Sequence, residues 1–499
     1  MKVLLVRPFY HIDWYDWPYY LIEPLGLEYI ASMIKGEHEV RILDFIGEYW
    51  YEHSPINNNT MMHIGASVKE TQRRIKSYSP DIVGISSLFY TQSQCAYKVA
   101  DITKEVDNDI SVVMGGGHPS AFPIQTLKEC GSIDFVVHGE GELIFKNLIN
   151  NISTPEKVLG IAYKKNGRYF QNEPQPPIDM LDEIPFPSRD LVPYKNYAKT
   201  AAIQFRYGAL REAARCLVNI PIIDQAYYRL YNAILHRLHK RIRLPAGSII
   251  SSRGCPLNCY FCAIHNVWGK KYRMRSAENV LEEITLLHEK YHMNHISIQD
   301  DNFTVSKKRT IDICKGILEH GLDITLNTPS GVYLPSLDKE VLEWMKKAGF
   351  YELYFGIESG NQNTLDKIIN KRLDLDKVRE VVSVCKEVGI KTGGFFVLGI
   401  PGETLDAMED TVNFAISSNL EVARLYVCQP YPGSPLFSDC LKNNYFIKEI
   451  TPDDLKIFGD KSFIKTTDFT PEDVARVVTE GREKLRKSGR LNMPVVEKK

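Results

Sequence analysis

Short apolar runs alternate with segments of helical periodicity along two stretches of the chain, residues 1–150 and 246–437. Neighbouring parallel strands need a long crossover connection, usually a helix, whereas antiparallel strands need only a tight turn. Repeated strand–helix units therefore predict parallel sheets and an α/β fold. We predict a doubly wound, Rossmann-like parallel sheet in residues 1–150 and a partial (β/α)6 barrel in residues 246–437. In both architectures ligands bind at the carboxyl ends of the strands.

The segments between and after these stretches have a different composition. Residues 151–198 are a Pro-rich connector, in which the Asn-Gly pair at 166–167 predicts a hairpin turn. Residues 199–245 are predicted to be a helical, basic insertion, and residues 438–499 a C-terminal helical cap and tail. Residues 223–243 of the insertion are basic and aromatic, which fits either the solvated face of a packed insertion or a peripheral membrane contact.

Three cysteines lie close together at Cys255, Cys259 and Cys262, with the spacing Cys-x3-Cys-x2-Cys. Three thiolates on one loop can bind three irons of a four-iron cluster, which leaves the fourth iron open to a small molecule. Zinc is the alternative, because it takes four ligands and His265 lies shortly after the last cysteine. The spacing favours the cluster and leaves zinc open.

The overall composition is that of a soluble globular protein, with 44% hydrophobic and 25% charged residues and a net charge of −1. A general nucleic-acid binder is usually basic, so we expect no nucleic-acid partner. No apolar stretch reaches the roughly 20 residues that span a bilayer. The cysteines outside the triplet are scattered, which favours reduced thiols and a cytoplasmic location.

Polar loops, several of them rich in glycine, follow successive predicted strands. They span residues 88–93, 115–123 and 138–142 in the first sheet, and polar loops recur in the barrel at residues 299–303, 356–360 and 399–404. Glycine lets the backbone approach a ligand closely, and hydroxyl, imidazole and carboxylate groups supply polar contacts. A single loop of this kind could merely turn the chain. Their succession at strand ends predicts a binding edge on each sheet.

The triplet, with the aromatic Phe261 immediately before its last cysteine, resembles the motif of the radical S-adenosylmethionine (SAM) superfamily. The resemblance implies a [4Fe-4S] cluster whose open iron binds SAM, and reductive cleavage of SAM to a 5′-deoxyadenosyl radical. It also implies an electron donor such as flavodoxin or ferredoxin, and places Phe261 against adenine. The barrel loops continue the resemblance.

Matching positions in those loops carry further implied cofactor contacts. Asp300 or Asp301 would lie near the methionyl amino group of SAM, and a carboxylate suits that group because the hydrogen bond is charge-assisted. Glu358 would lie near the ribose or the methionyl group, with Ser359 beside it. The wall against adenine would be formed by Gly399 and Pro401.

Residues 1–150 resemble the cobalamin-binding domain of cobalamin-dependent radical SAM enzymes. The resemblance implies a bound cobalamin and places the corrin against the strand-end loops. The implied contacts are Thr91, Gln92, Ser93, Gly116, Gly117, His118, Ser120, Gly139 and Glu140. The Asp-x-His-x-x-Gly motif that supplies a histidine to cobalt in methionine-synthase-type domains is absent. We therefore predict that no histidine of that motif caps the metal.

The combined resemblance, to class B radical SAM methyltransferases, implies an enzyme that methylates an unactivated carbon of a small-molecule or lipid-like substrate. Radical cyclisation, rearrangement or oxidation on the same scaffold is the first alternative. A non-catalytic corrinoid or iron–sulfur carrier is an alternative of another class. The sequence assigns no residue as catalytic and does not identify the substrate.

Overall fold

The computed structural model describes residues 1–13, 21–50, 52–56, 61–197, 246–452, 454–455 and 460–490. The chain divides into two compact units. The first comprises Met1–Asp179 and Glu183–Ser248, and the second comprises Met180–Asp182 and Ile249–Lys499. The predicted basic insertion at 199–245, including the membrane contact considered for 223–243, lies outside the described residues. The proposed domain boundaries stay predictions.

The main sheet of the first unit has seven strands in its described part, in the order β10-β9-β8-β7-β6-β1-β3. The five strands from β8 to β3 in this order are parallel, and the β9–β10 hairpin of the predicted connector joins β8 antiparallel. The strands are β1 (Lys2–Arg7), β3 (Glu39–Asp44), β6 (Ile82–Ser86), β7 (Ser111–Gly115), β8 (Phe135–Val137), β9 (Ile161–Lys165) and β10 (Arg168–Gln171).

Helices and core residues cover both faces of this sheet. In β1, Val3 and Leu5 join one hydrophobic cluster, whereas Leu4 and Val6 join the other. Successive side chains of a strand point to opposite faces, so a strand that is apolar throughout belongs in a doubly covered parallel sheet. The α-helices are Leu25–Ile34, Val68–Tyr78, Ser93–Val106, Gly117–Ala121, Pro123–Glu129 and Gly141–Asn150.

A second, small sheet in this unit was not predicted. It consists of β2 (Tyr10–Asp13), β4 (His53–Ile56) and β5 (Met61–Ile64), in the antiparallel order β2-β5-β4. The helix Gly117–Ala121 lies within the loop that was predicted at residues 115–123, and the helix Pro123–Glu129, which was not predicted, begins at the last residue of that loop.

A six-stranded sheet, whose strands from β14 to β18 belong to the second unit, has the order β11-β14-β15-β16-β17-β18 in the described residues. The strands from β14 to β18 are parallel neighbours in chain order, which is the arrangement of a partial (β/α)6 barrel. Its strands are β11 (Ala246–Ile249), β14 (His295–Ile298), β15 (Thr325–Thr328), β16 (Phe350–Glu358), β17 (Lys391–Leu398) and β18 (Val422–Val427). Two short strands, β12 (Ser252–Arg253) and β13 (Arg273–Met274), pair antiparallel beside it.

Polar caps fix the starts of the helices that alternate with these strands. The side chains of Asp338, Thr404 and Thr470 each accept a backbone N–H of the first helical turn, which otherwise has no partner. The α-helices of this unit are His265–Trp268, Ala277–Glu289, Lys307–Glu319, Lys339–Lys347, Leu375–Val388, Leu405–Ser417, Pro435–Lys442 and Pro471–Lys487, and Thr364–Ile369 is a π-helix. The predicted α/β fold is confirmed. In the described part of the chain, no helix is long and apolar enough to cross a membrane.

Candidate active site: the cysteine loop and the strand ends

The cysteine loop follows β12 and is held in place by backbone hydrogen bonds. Gly254 has φ = +83°, and a Cβ there would lie 2.6 Å from the Lys271 carbonyl oxygen, so only glycine fits. Tyr260 N–H donates to the Ile369 carbonyl (2.9 Å), and Tyr260 C=O accepts from Leu436 N–H (3.0 Å). The loop is thus attached at its centre to two other segments of the barrel unit.

The three thiols of the loop are half-buried, whereas the other described cysteines are buried. Burial raises the pKa of Cys259 to about 12 and that of Cys262 to about 11, so each thiol carries its proton until a metal displaces it. The Asn302 side-chain amide donates to Cys255 Sγ at 2.9 Å. Hydrogen bonds to cluster sulfurs are one of the means by which proteins set the cluster potential.

His265, the candidate fourth ligand of zinc, faces backbone carbonyl groups. Its Nδ1 lies 3.0 Å from the Gly269 carbonyl oxygen and its Nε2 lies 3.0 Å from that of Leu257, and an imidazole with one N–H donates to one of them. A four-iron cluster needs no fourth protein ligand, since each thiolate binds a different iron and one iron stays open. The thiols therefore fit a cluster.

A buried ion pair beside the loop was missed by the sequence reasoning. Lys371 Nζ lies 2.8 Å from Glu358 Oε1, and each side chain is 12% exposed. Burial lowers the pKa of Lys371, but its attraction to Glu358 and Cys259 outweighs burial, so the pKa is raised. Glu358 ends β16 with φ = +71°. Lys371 lies three residues before Asp374, which caps the next helix, and this spacing gives no sequence signal of the contact.

Two adjacent carboxylates at the end of β14 have different environments. Asp300 is buried and accepts hydrogen bonds from Ser251 N–H, Ser251 Oγ and Ser252 Oγ, each at 2.6 Å. Asp301 is half-buried, and burial followed by the charge of Asp300 raises its pKa to about 7. Asp300 thus fixes the start of the cysteine loop. Of the two candidates, Asp301 alone keeps a carboxylate suited to a ligand.

Ser359 is engaged in the turn after β16. It is fully buried, its hydroxyl lies 3.0 Å from Thr411 Oγ1, and it accepts the Asn361 N–H at 3.1 Å. These bonds shape the turn that follows Glu358. The predicted contact of Ser359 with SAM stays a prediction.

The loop after β17 is shaped by a buried carboxylate that the sequence reasoning also missed. Glu403 is fully buried and accepts the N–H groups of Gly399 (3.0 Å) and Ile400 (3.2 Å). Burial raises the pKa of Glu403 to about 7. Gly399 has φ = +87°, and Pro401 is buried. The carboxylate thus pins the backbone that the resemblance places beside adenine.

In the first unit, one serine ties two strand-end loops together. Ser120 Oγ donates to the Gly116 carbonyl (2.7 Å) and accepts from Gly139 N–H (3.0 Å). Gly116 has φ = +118°, and a Cβ there would lie 2.4 Å from the Ser87 carbonyl oxygen. The ends of β6, β7 and β8 are therefore packed backbone to backbone, which needs glycine.

Polar atoms without protein partners gather after β6. Ser87 Oγ, Gln92 Oε1 and Ser93 Oγ are buried and have no hydrogen-bond partner among the described residues. Burying such groups unpaired costs about 1–3 kcal/mol each, so an edge of this kind fits a polar ligand. Thr91 is half-buried beside them, Gly117 begins a helix and Glu140 is buried at the start of another. The edge fits the amide-rich periphery of a corrin.

His118 is held by a hydrogen-bonded chain. The Tyr97 hydroxyl donates to Glu129 Oε2 (2.7 Å) and lies 3.0 Å from His118 Nε2. Since the hydroxyl proton is used by Glu129, Nε2 is the donor in the second bond. Burial lowers the pKa of His118 to about 4, which keeps the ring neutral.

Comparisons with known proteins match both parts of the chain that contain these residues. The family model described as "Radical SAM superfamily" matches residues 249–415, and the model described as "B12 binding domain" matches residues 18–149. An uncharacterised methyltransferase of Pyrococcus horikoshii is 33% identical over 91% of this chain and 86% of the relative. The cytidylyl-2-hydroxyethylphosphonate methyltransferase of Streptomyces wedmorensis is 29% identical over 89% of this chain and 82% of the relative.

Among solved structures, the radical SAM methyltransferase TsrM from Kitasatospora setae matches with a TM-score of 0.66 and 17% identity, covering 90% of this chain and 77% of that one. Fold and site together define an iron–sulfur enzyme that uses SAM. The chain belongs to the family of cobalamin-dependent radical SAM methyltransferases. A [4Fe-4S] cluster, SAM and cobalamin are its cofactors. The predicted cofactors are thereby confirmed, and a non-catalytic carrier is excluded.

Proposed function

We propose that the enzyme transfers a methyl group to an unactivated carbon of a small-molecule or lipid-like substrate. The observation that carries this proposal is the presence in one chain of a half-buried thiol triplet and of a polar, glycine-lined strand edge in the B12-type unit. Relatives with methyltransferase names support it, among them the hopanoid C-3 methylase of Methylococcus capsulatus, 25% identical over 87% of this chain and 71% of that relative. The reaction needs both units.

When bound, the cluster supplies the electron that cleaves SAM and cobalamin supplies a methyl carrier. We assign Cys255, Cys259 and Cys262 as the cluster ligands, with the Asn302 amide donating to Cys255. Burial raises the pKa of Cys259, and the positive charge of Lys371 opposes part of that rise and offsets the negative charge that thiolates bring.

The barrel strand ends bind and orient SAM in this proposal. Asp301 accepts from the methionyl ammonium group, and its raised pKa falls once that positive charge lies beside it. Phe261 lies against adenine, and the Gly399–Pro401 backbone, pinned by Glu403, forms the opposite wall. Glu358 is positioned by Lys371 toward the ribose or methionyl group.

The strand ends of the first unit hold cobalamin. The proposed contacts are Thr91, Gln92, Ser93, Gly116, Gly117, His118, Ser120, Gly139 and Glu140. Nε2 of His118 donates to Tyr97, whereas its Nδ1 is buried without a hydrogen-bond partner among the described residues. The proposal that no histidine caps the metal through the usual motif rests on the absence of that motif from the sequence.

The test is an anaerobic assay of the reconstituted enzyme with SAM, substrate and a flavodoxin or ferredoxin donor. Methyl transfer with radical chemistry forms 5′-deoxyadenosine and S-adenosylhomocysteine together. Formation of deoxyadenosine alone would contradict methylation. The proposed location is the cytoplasm, and the free state of the described cysteines supports it.

Cyclisation is a second candidate because of one group of relatives. The anaerobic magnesium-protoporphyrin IX monomethyl ester cyclase of Rubrivivax gelatinosus is 26% identical over 88% of this chain and 70% of that relative. A cyclase forms a ring without transferring a methyl group. The mass of the product separates the two reactions, since only methylation adds one carbon.

A further inference from the structure

One face of the barrel sheet carries an aromatic and charged row that the cofactor assignments do not use. Along β16, Leu353, Phe355 and Ile357 are fully buried, whereas Glu352 and Tyr354 are half-buried. Successive side chains of a strand point to opposite faces, so Glu352 and Tyr354 lie on the face opposite to the three buried residues. The aromatic and charged row lies on this less buried face.

Three aromatic rings form a continuous surface on that face. Tyr354 and Phe395 stack with centroids 5.3 Å apart and planes 9° apart, and Phe395 meets Tyr426 at 6.1 Å. Gly393, which pairs in register with Tyr354, makes room for the stack. A Cβ on Gly393 would lie 2.4 Å from the Tyr354 ring. A side chain at position 393 would therefore displace the Tyr354 ring from the stack.

Arg424 lies over the aromatic surface. It pairs in register with Phe395, and its guanidinium is 5.4 Å from the Tyr354 centroid and 6.0 Å from the Phe395 centroid. Burial lowers its pKa, and the neighbouring Tyr426 and Tyr354 outweigh burial and raise it. The side chain is therefore a fixed cation on an aromatic floor.

The cation is only partly satisfied within the described chain. Arg424 has a hydrogen bond with the Tyr426 side chain and feels the charge of Glu352 at longer range, but its Nε is buried without a hydrogen-bond partner. Glu352 on the same face lies 3.3 Å from the Asn327 amide nitrogen instead. Aromatic rings offset only part of the cost of burying a guanidinium. An anion bound in front of Arg424 would supply the remainder.

We propose that Arg424, on the floor of Tyr354, Phe395 and Tyr426, binds an anionic group of the methyl acceptor. Guanidinium N–H groups match carboxylate, phosphate and phosphonate oxygens in a two-pronged geometry. The stacked rings suit an apolar or flat body attached to that group. This inference rests on the proposed function and narrows its substrate class to acids.

The length of β16 gives the distance between the proposed anion site and the end of the strand at which SAM is cleaved. Glu358, beside the cysteine loop, lies four residues beyond Tyr354 on β16. At about 3.3 Å per residue, the two levels of the barrel are about 13 Å apart. The anionic group would thus be held about 13 Å along the strand from the end at which SAM is cleaved.

The test uses the anaerobically reconstituted full chain and three probes: naphthalene-1-carboxylate, 1-naphthyl phosphate and the neutral naphthalene-1-carboxamide. Calorimetric titration gives the Kd of each. The wild type is expected to prefer an anion to the amide, and the stronger anion identifies the acid class. Arg424→Gln should weaken that anion by at least about tenfold, as expected for a lost charge-assisted bond, and leave the amide unchanged. Arg424→Lys should retain part of the preference.

Arg379→Gln is the matched control, because Arg379 also lies over a ring, Phe414 at 4.6 Å, but is exposed on a helix. It should bind all probes as the wild type does. The inference would be overturned if the wild type bound the anion and the amide equally well. It would also be overturned if Arg424→Lys and Arg424→Gln both bound the anion with wild-type affinity. The formation of S-adenosylhomocysteine by the wild type is measured separately, so failure of the proposed methylation is distinguished from failure of this subsite.

Discussion

Replacement of Glu403 by glutamine isolates the cost of burying one carboxylate beneath the loop after β17. Glu403 is fully buried and holds the N–H groups of Gly399 and Ile400 at 3.0 and 3.2 Å. The amide oxygen of glutamine can accept the same two hydrogen bonds, and glutamine has nearly the same volume. Glu403→Gln therefore removes the titration and keeps the loop.

The expected magnitude follows from the pKa. Burial raises the pKa of Glu403 from 4.5 to about 7 in the folded state. Between these two values the folded state binds more protons than the unfolded state, so stability is complete below pH 4.5 and falls as the pH rises through about 7. At about 1.4 kcal/mol per pH unit, the free energy of unfolding loses about 3 kcal/mol across this window. The glutamine variant loses none of that amount.

The assay is urea unfolding of both proteins between pH 5 and pH 8. Other groups titrate in the same range, including Asp301, but they contribute equally to both proteins, so the difference between the two profiles belongs to Glu403. The free energy of unfolding of the variant, minus that of the wild type, should rise by about 3 kcal/mol between pH 5 and pH 8. A difference in stability that stays constant between pH 5 and pH 8 would refute the raised pKa. If that constant difference is large and the variant is the weaker protein, the loop needs a carboxylate at this position.

Three further changes test the cysteine loop. Cys259→Ser should lower the bound iron and abolish SAM cleavage, measured by iron analysis and by 5′-deoxyadenosine formation; full iron content would contradict its role as a ligand. Asn302→Leu removes the hydrogen bond to Cys255 Sγ and should shift the cluster potential to more negative values in a redox titration, whereas an unchanged potential would show that the bond does not act on the cluster. Lys371→Met leaves Glu358 buried without its cation and should cost about 3 kcal/mol in urea unfolding, with the exposed Lys308→Met as a near-neutral control.

The strand–helix alternation could be predicted because its signal is local. The helices Leu375–Val388 and Leu405–Ser417 and the strand Lys391–Leu398 have the bounds that their apolar periodicity indicates. The small sheet of β2, β4 and β5 could not be predicted, since its strands are short and lack regular alternation. The helix Pro123–Glu129 was hidden because the glycines just before it indicate a loop.

The contacts that decide the site are long-range, and this explains what the sequence left unresolved. Asp300 and Asp301 are adjacent and chemically alike, and only the fold shows that the serines after β11 occupy the first. Asn302 meets Cys255 across 47 residues, so no spacing rule relates them. Glu403 is only four residues from Gly399, yet an acidic residue in a loop is usually solvated, and its burial is set by tertiary packing.

The hydrogen bonds of His265 have a consequence for cluster assembly. His265 connects the carbonyls of Leu257 and Gly269, and Tyr260 is fastened to Ile369 and Leu436, so the protein's own bonds define the path of the cysteine loop. The loop is then ordered when the chain folds, and iron and sulfide bind to a preorganised loop. Chemical removal of the cluster should leave the loop in its folded conformation, so that the cluster can be removed and reconstituted without unfolding the protein.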